Sequence, residues 1–157
     1  MSGPAGLTVS AAGAVAWLNI PGSAVCENAV TVKVRDKCGA EATRSFTITV
    51  TNIAPVITCT NPPPAVLGDV VSGTVTATDV DGGPYALLYK VVSFSGPGTV
   101  TINPVTGAFN WPTVYNDASY LGTFTLCVSV TDSANLCPAS PANADTCCMQ
   151  VTTVWGK

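Results

Sequence analysis

Threonine and valine alternate through long stretches of this chain, and a period of two leaves little choice but β-strands. Phe46-Thr-Ile-Thr-Val50, Val70-Val-Ser-Gly-Thr-Val-Thr-Ala-Thr78, Gly98-Thr-Val-Thr-Ile102 and Gly122-Thr-Phe-Thr-Leu-Cys-Val-Ser-Val-Thr131 set β-branched residues on one face and polar ones on the other. Glycine, proline, asparagine and aspartate break these runs, and no stretch carries a helical period. The chain reads as all-β. Only 10% of residues are charged while 47% are hydrophobic, a balance that excludes both a disordered tail and a coiled coil.

An internal repeat sets the architecture. Gly6-Leu-Thr-Val-Ser-Ala-Ala-Gly-Ala-Val-Ala-Trp17 matches Gly98-Thr-Val-Thr-Ile-Asn-Pro-Val-Thr-Gly-Ala-Phe-Asn-Trp111, a strand, a glycine turn and a strand ending in tryptophan. Val30-Thr-Val-Lys-Val-Arg-Asp36 then matches Leu126-Cys-Val-Ser-Val-Thr-Asp132. Matched positions lie about a hundred residues apart, the size of a seven-stranded immunoglobulin-like sandwich. The expected organisation is one complete seven-stranded domain preceded by a partial one. Residues 52–157 hold strands A to G: A near 55–60, B 70–78, C 85–93, D 98–102, E 107–111, F 121–131 and G 146–154. Residues 1–51 hold only the equivalents of D, E, F and G.

Ala77-Thr-Asp-Val-Asp-Gly-Gly-Pro84, Thr106-Gly-Ala-Phe-Asn-Trp-Pro112 and Val128-Ser-Val-Thr-Asp132 resemble motifs of the cadherin-like, or putative-Ig, tandem repeats of large bacterial and archaeal surface proteins. The resemblance covers the second unit and the later half of the first. It implies an immunoglobulin-like (cadherin-like) β-sandwich used outside the cell as a spacer, adhesin or assembly module.

Two readings stand open for Asp79 and Asp81. With Asp132 at the same pole, Asn52 in the linker and Glu27 in the E–F loop of the first unit, they compose an interdomain calcium cluster similar to cadherin linkers. Alternatively they cap a turn through side-chain to backbone hydrogen bonds, and the sparse acids favour this reading. Trp17 and Trp111, at matched positions, are expected in the core of their units rather than stacked on a glycan.

Seven cysteines point to an oxidising compartment. Side-chain parity pairs outward Cys127 with outward Cys148 on neighbouring strands. Inward Cys147 can meet Cys59 if strand A runs beside G, and an interdomain Cys26–Cys137 bridge is compatible with the layout. A Cys26–Cys38 bond is rejected, since seven extended residues cover about 20 Å. Cys38 is left over as a candidate thiol for a neighbouring subunit.

The sequence has no histidine, nucleophile elbow or phosphate loop, so an enzyme is not expected. Its net charge of -3 provides no basic stripe for nucleic acid, and its apolar runs are too short for membrane insertion. No basic start and apolar leader is visible after Met1, so a processed or excised segment is expected. The leading expectation is a secreted or cell-surface structural subunit, or segment of a filament. Four strands without partners would be completed by copies of the chain or by neighbouring repeats of the same protein. The alternative is an adhesive or carbohydrate-binding repeat of a large surface protein, with calcium as cofactor or a glycan as ligand.

Overall fold

The computed structural model describes residues 1–18, 20, 26–80, 86–132 and 143–156. They form two compact units that divide the chain between Asn52 and Ile53.

In the second unit the strands are β5 (Val56–Thr58), β6 (Ala65–Val66), β7 (Val70–Thr74), β8 (Thr76–Thr78), β9 (Leu87–Phe94), β10 (Thr101–Ile102), β11 (Ala108–Pro112), β12 (Gly122–Asp132) and β13 (Ala144–Val154). One sheet runs β6-β13-β12-β9 and the other β10-β11-β7, with β5 paired to β8. This is an immunoglobulin-like sandwich. Alternation does the work the sequence assigned to it. Leu126, Val128 and Val130 of β12 and Met149 and Val151 of β13 face inward and are buried, as are Phe109 and Trp111 of β11. At the centre Trp111 meets Phe94, Phe124 and Tyr120, ring centroids 4.8, 5.3 and 5.8 Å away.

The B strand breaks at buried Val75, whose N–H turns aside to the Gly107 carbonyl at 3.0 Å. Gly107 has a φ of 69°, and a Cβ there would lie 2.2 Å from the Val75 oxygen. Only glycine fits.

Strand A departs from expectation. It does not run beside G over 55–60. Instead β5 pairs antiparallel with β8, and the chain then crosses to lie parallel to β13 as β6. Between them Pro62, Pro63 and Pro64 have no N–H to give a ladder. Other bonds fasten the crossing. Asp145 Oδ2 accepts from Ile57 N at 3.0 Å, Asn61 Oδ1 accepts from Gln150 N at 2.8 Å, and Cys59 is bonded to Cys147.

The first unit consists of β1 (Leu7–Val9), β2 (Val15–Trp17), β3 (Cys26–Arg35) and β4 (Glu41–Val50). Among the described residues these form two separate hairpins, β1–β2 and β3–β4. The β3–β4 turn is closed by Asp36, whose Oδ1 accepts from Cys38 N and Ala40 N at 2.9 and 2.8 Å. Ser2 adds an antiparallel bridge on the free side of β3, exchanging both backbone bonds with Thr31.

Candidate functional site

The surface that stands out is the inward face of the β3–β4 hairpin. Its register puts Val30 opposite Phe46, Val32 opposite Arg44 and Val34 opposite Ala42. By the sequence repeat, Val30 corresponds to Leu126 and Val34 to Val130. Val30 is fully buried, and Gly3 lies close to both it and the buried Leu7. Val34 is 63% exposed, whereas Val130, its counterpart, is 0% exposed. Phe46 is 41% exposed, whereas Met149, which faces Leu126 across the ladder, is 2%. A shallow depression of about 270 Å³ beside Val34 is lined by Asp36, Ala40, Glu41 and Ala42. Lys33 and Glu41 form an ion pair on the opposite face.

Trp17 is a correction. Trp111 is fully buried, but Trp17 is only half-buried, its Nε1–H donating to the Ala5 carbonyl at 3.0 Å. Trp111 Nε1–H likewise donates to the Pro97 carbonyl, at 2.8 Å. Both indoles therefore hold the corner before their hairpin. Among the described residues, only the second has a facing sheet to close over it. A Ser-Gly-Pro corner precedes each hairpin, Ser2–Pro4 and Ser95–Pro97, a match the repeat analysis missed although the sequence carries it.

Of the residues set out for calcium, Asp81 lies outside the described residues. Glu27 is a correction: it is the second residue of β3, paired with Thr49, and is not in a loop. The F-type run begins earlier than the match at Val30 suggested. Asn52 follows β4 at the end of the first unit, while Asp79 follows β8 and Asp132 ends β12 in the second. Asp132 is buried and Asp79 half-buried. Among the described residues no three acidic or cysteine side chains gather to hold a metal. Asp36, the repeat counterpart of Asp132, caps a turn.

Two disulfides are described. Cys127 and Cys148 face each other directly across the β12–β13 ladder, their Cα atoms 4.1 Å apart. Cys59 reaches inward Cys147 from the end of β5, Cα atoms 5.8 Å apart, by way of the crossing and not through a strand beside G. The Cys26–Cys137 pairing lies outside the described residues. Cys38 is a free, exposed thiol at the β3–β4 turn. Elsewhere Asp117 is held below the ordinary carboxylate range, first by the Ser119 hydroxyl and then by the Ser119 N–H. Among the described residues no helix is long and apolar enough to cross a membrane.

Sheet order and the two facing sheets define an all-β, immunoglobulin-like sandwich. No protein-family model and no curated protein sequence matches the chain. Solved structures do. Human Protocadherin-24 EC1-2 superposes with a TM-score of 0.52 at 18% identity, over 99% of this chain and 80% of that one. The Protocadherin GammaB4 extracellular domain gives 0.52 at 20% identity, over 97% of this chain and 26% of that one. Mouse Cadherin-23 EC22-24 gives 0.50 at 21% identity, over 96% and 50%. The chain thus spans a quarter to a half of the last two, and the likeness is one of fold.

Proposed function

We propose that this chain is a non-enzymatic structural segment of an extracellular or cell-surface assembly. In this reading residues 1–51 are a partial cadherin-like unit and 52–157 a complete one. Joining is by β-strand addition to the first unit, disulfides brace the second, and the partners are copies of the chain or neighbouring repeats. One observation carries the reading: apolar positions buried in the second unit, Val130 and Met149, have counterparts in the first, Val34 and Phe46, that face solvent. Unpaired strand edges beside an exposed apolar face are templates for another strand. Particles that elongate under negative stain, and whose mass grows with concentration, are the expected result.

The fold shared with cadherin ectodomain structures supports a second reading, an adhesive or glycan-binding repeat. A monodisperse monomer whose melting temperature rises with calcium or with a glycan is its signature. In that reading Asp79, Asp81 and Asp132, with Asn52 and Glu27, are the residues that would hold calcium. Among the described residues no three acidic or cysteine side chains gather to form such a cluster.

A further inference from the structure

The two described disulfides of the second unit occupy opposite faces of one strand. Cys147 and Cys148 are neighbours on β13, so alternation sends the first toward the core, where it and Cys59 pack against buried residues, and the second to the outer face. Cys148 is exposed and Cys127 half-buried. Their register matters as well. Gln150 N–H points away from β12, to Asn61 Oδ1, and Thr125 N–H points away from β13, to Ser95 Oγ. Thr125 and Gln150 are therefore a non-hydrogen-bonded pair, and Cys127 and Cys148, two residues along, share that phase. Side chains approach most closely in such pairs, in keeping with Cα atoms 4.1 Å apart. Opening this disulfide takes no backbone hydrogen bond with it, because those on either side belong to Leu126 with Met149 and to Val128 with Cys147. On its other flank the β9–β12 ladder slips between Cys127 and Val128, leaving Val92 out of register and 55% exposed. Among strands β6, β9, β12 and β13, Lys90, opposite Ser129, is the charged residue of the outer face, while Asp132 and Asp145 share the inward phase of Val130.

We propose that Cys127–Cys148 is a thiol-exchange site, at which an anionic small thiol becomes joined to Cys148 while the sandwich stays folded. The attacking thiolate forms a bond to Cys148 Sγ, the Cys127–Cys148 bond breaks, and its electron pair leaves on Cys127 Sγ, which takes a proton from water. One disulfide replaces another, so no oxidant is consumed. Attack falls on Cys148 because it is the exposed sulfur. The positive charge of Lys90 on the same face favours an anionic thiol. Cys127 faces the adduct across the ladder, and its return attack restores the original bond and frees the small thiol. Cys147 cannot take that part, since the sheet lies between its sulfur and that of Cys148. The site belongs to the second unit alone and does not depend on how the first is completed.

The test uses the full chain carrying C38S, so that the free thiol at the β3–β4 turn takes no part. Reduced glutathione is added to the folded protein, thiols are alkylated at intervals, and the cysteines are mapped by mass spectrometry. The expected result is a Cys127–Cys148 bond that opens at least tenfold faster than Cys59–Cys147, with glutathione on Cys148 and the alkyl group on Cys127. Amides of Leu126, Val128 and Met149 should remain as slow to exchange as before. Two further variants separate the sulfurs: with oxidised glutathione, C127S should be modified at least tenfold faster than C148S. K90E should lower the ratio of the glutathione rate to the rate with cationic cysteamine at least twofold. The proposal is overturned if Cys59–Cys147 opens first or equally fast, if the adduct sits on Cys127, or if opening proceeds only as the core amides lose protection. A rate ratio that K90E leaves unchanged overturns the anionic class of thiol.

Discussion

The two matched tryptophans show how far identical local sequence is overruled by what lies across from it. Trp111 is enclosed by Phe94, Tyr120 and Phe124, so W111A should cost about 3–5 kcal/mol, as for a large aromatic removed from a packed core. Trp17 keeps the same indole bond to its corner, but among the described residues no second sheet faces it. W17A should cost about 1–2 kcal/mol, confined to the first unit. Urea titration of both variants reads the difference, and equal costs would contradict the burial argument. At Asp117 the sign follows from the hydrogen bonds. Its folded carboxyl titrates below the unfolded one because Ser119 bonds the ionised form. The turn's contribution is therefore complete above the ordinary carboxylate pKa and is lost as pH falls through the lower folded value. Carboxyl NMR of the S119A variant should show Asp117 titrating at higher pH than in the parent chain.

Among the elements, the two described disulfides are chemically alike but topologically unequal. Cys127–Cys148 closes a separation of 21 residues within a ladder already fully paired. Cys59–Cys147 closes 88 and stands where prolines deny the crossing a ladder. Loop-closure entropy alone makes the second worth about 1 kcal/mol more. Replacing Cys59 and Cys147 by alanine should thus lower the melting temperature more than replacing Cys127 and Cys148, and the reverse order would show that chain entropy is not the controlling term. Strands B to G of the second unit were legible because apolar and polar residues alternate through most of their length and glycine, proline, asparagine or aspartate lies at or near their ends. Strand A was not. Its two short pieces carry too few residues for a period, and the three prolines that mark its change of sheet were the only signal. Cysteine parity along F and G was readable from alternation alone, whereas the route of Cys59 needed the crossing. The calcium candidates were the least legible, since ligation depends on distances between loops that no periodicity encodes.

Across the whole molecule, burial is unevenly shared, and this has a consequence for unfolding. In the first unit, among the described residues, Leu7 and Val30 are the buried large apolar side chains, held by two hairpins. Hairpins without a third strand or a covering layer are marginal in water. The second unit has a continuous core from Ile57 to Val151 and two disulfides. The two units should therefore unfold separately, the first at lower denaturant. Trp17 and Trp111 sit one in each unit and serve as reporters once the exposed Trp155 is replaced by phenylalanine. In urea the Trp17 signal should change first and the Trp111 signal later, with amides of β3 and β4 exchanging much faster than those of β12 and β13. A strand that adds to the first unit should move the first transition toward the second and leave the second where it was. One shared midpoint without any partner would mean the first unit draws its stability from somewhere other than its own hairpins, and the exposed faces of Val34 and Phe46 would then need no outside strand at all.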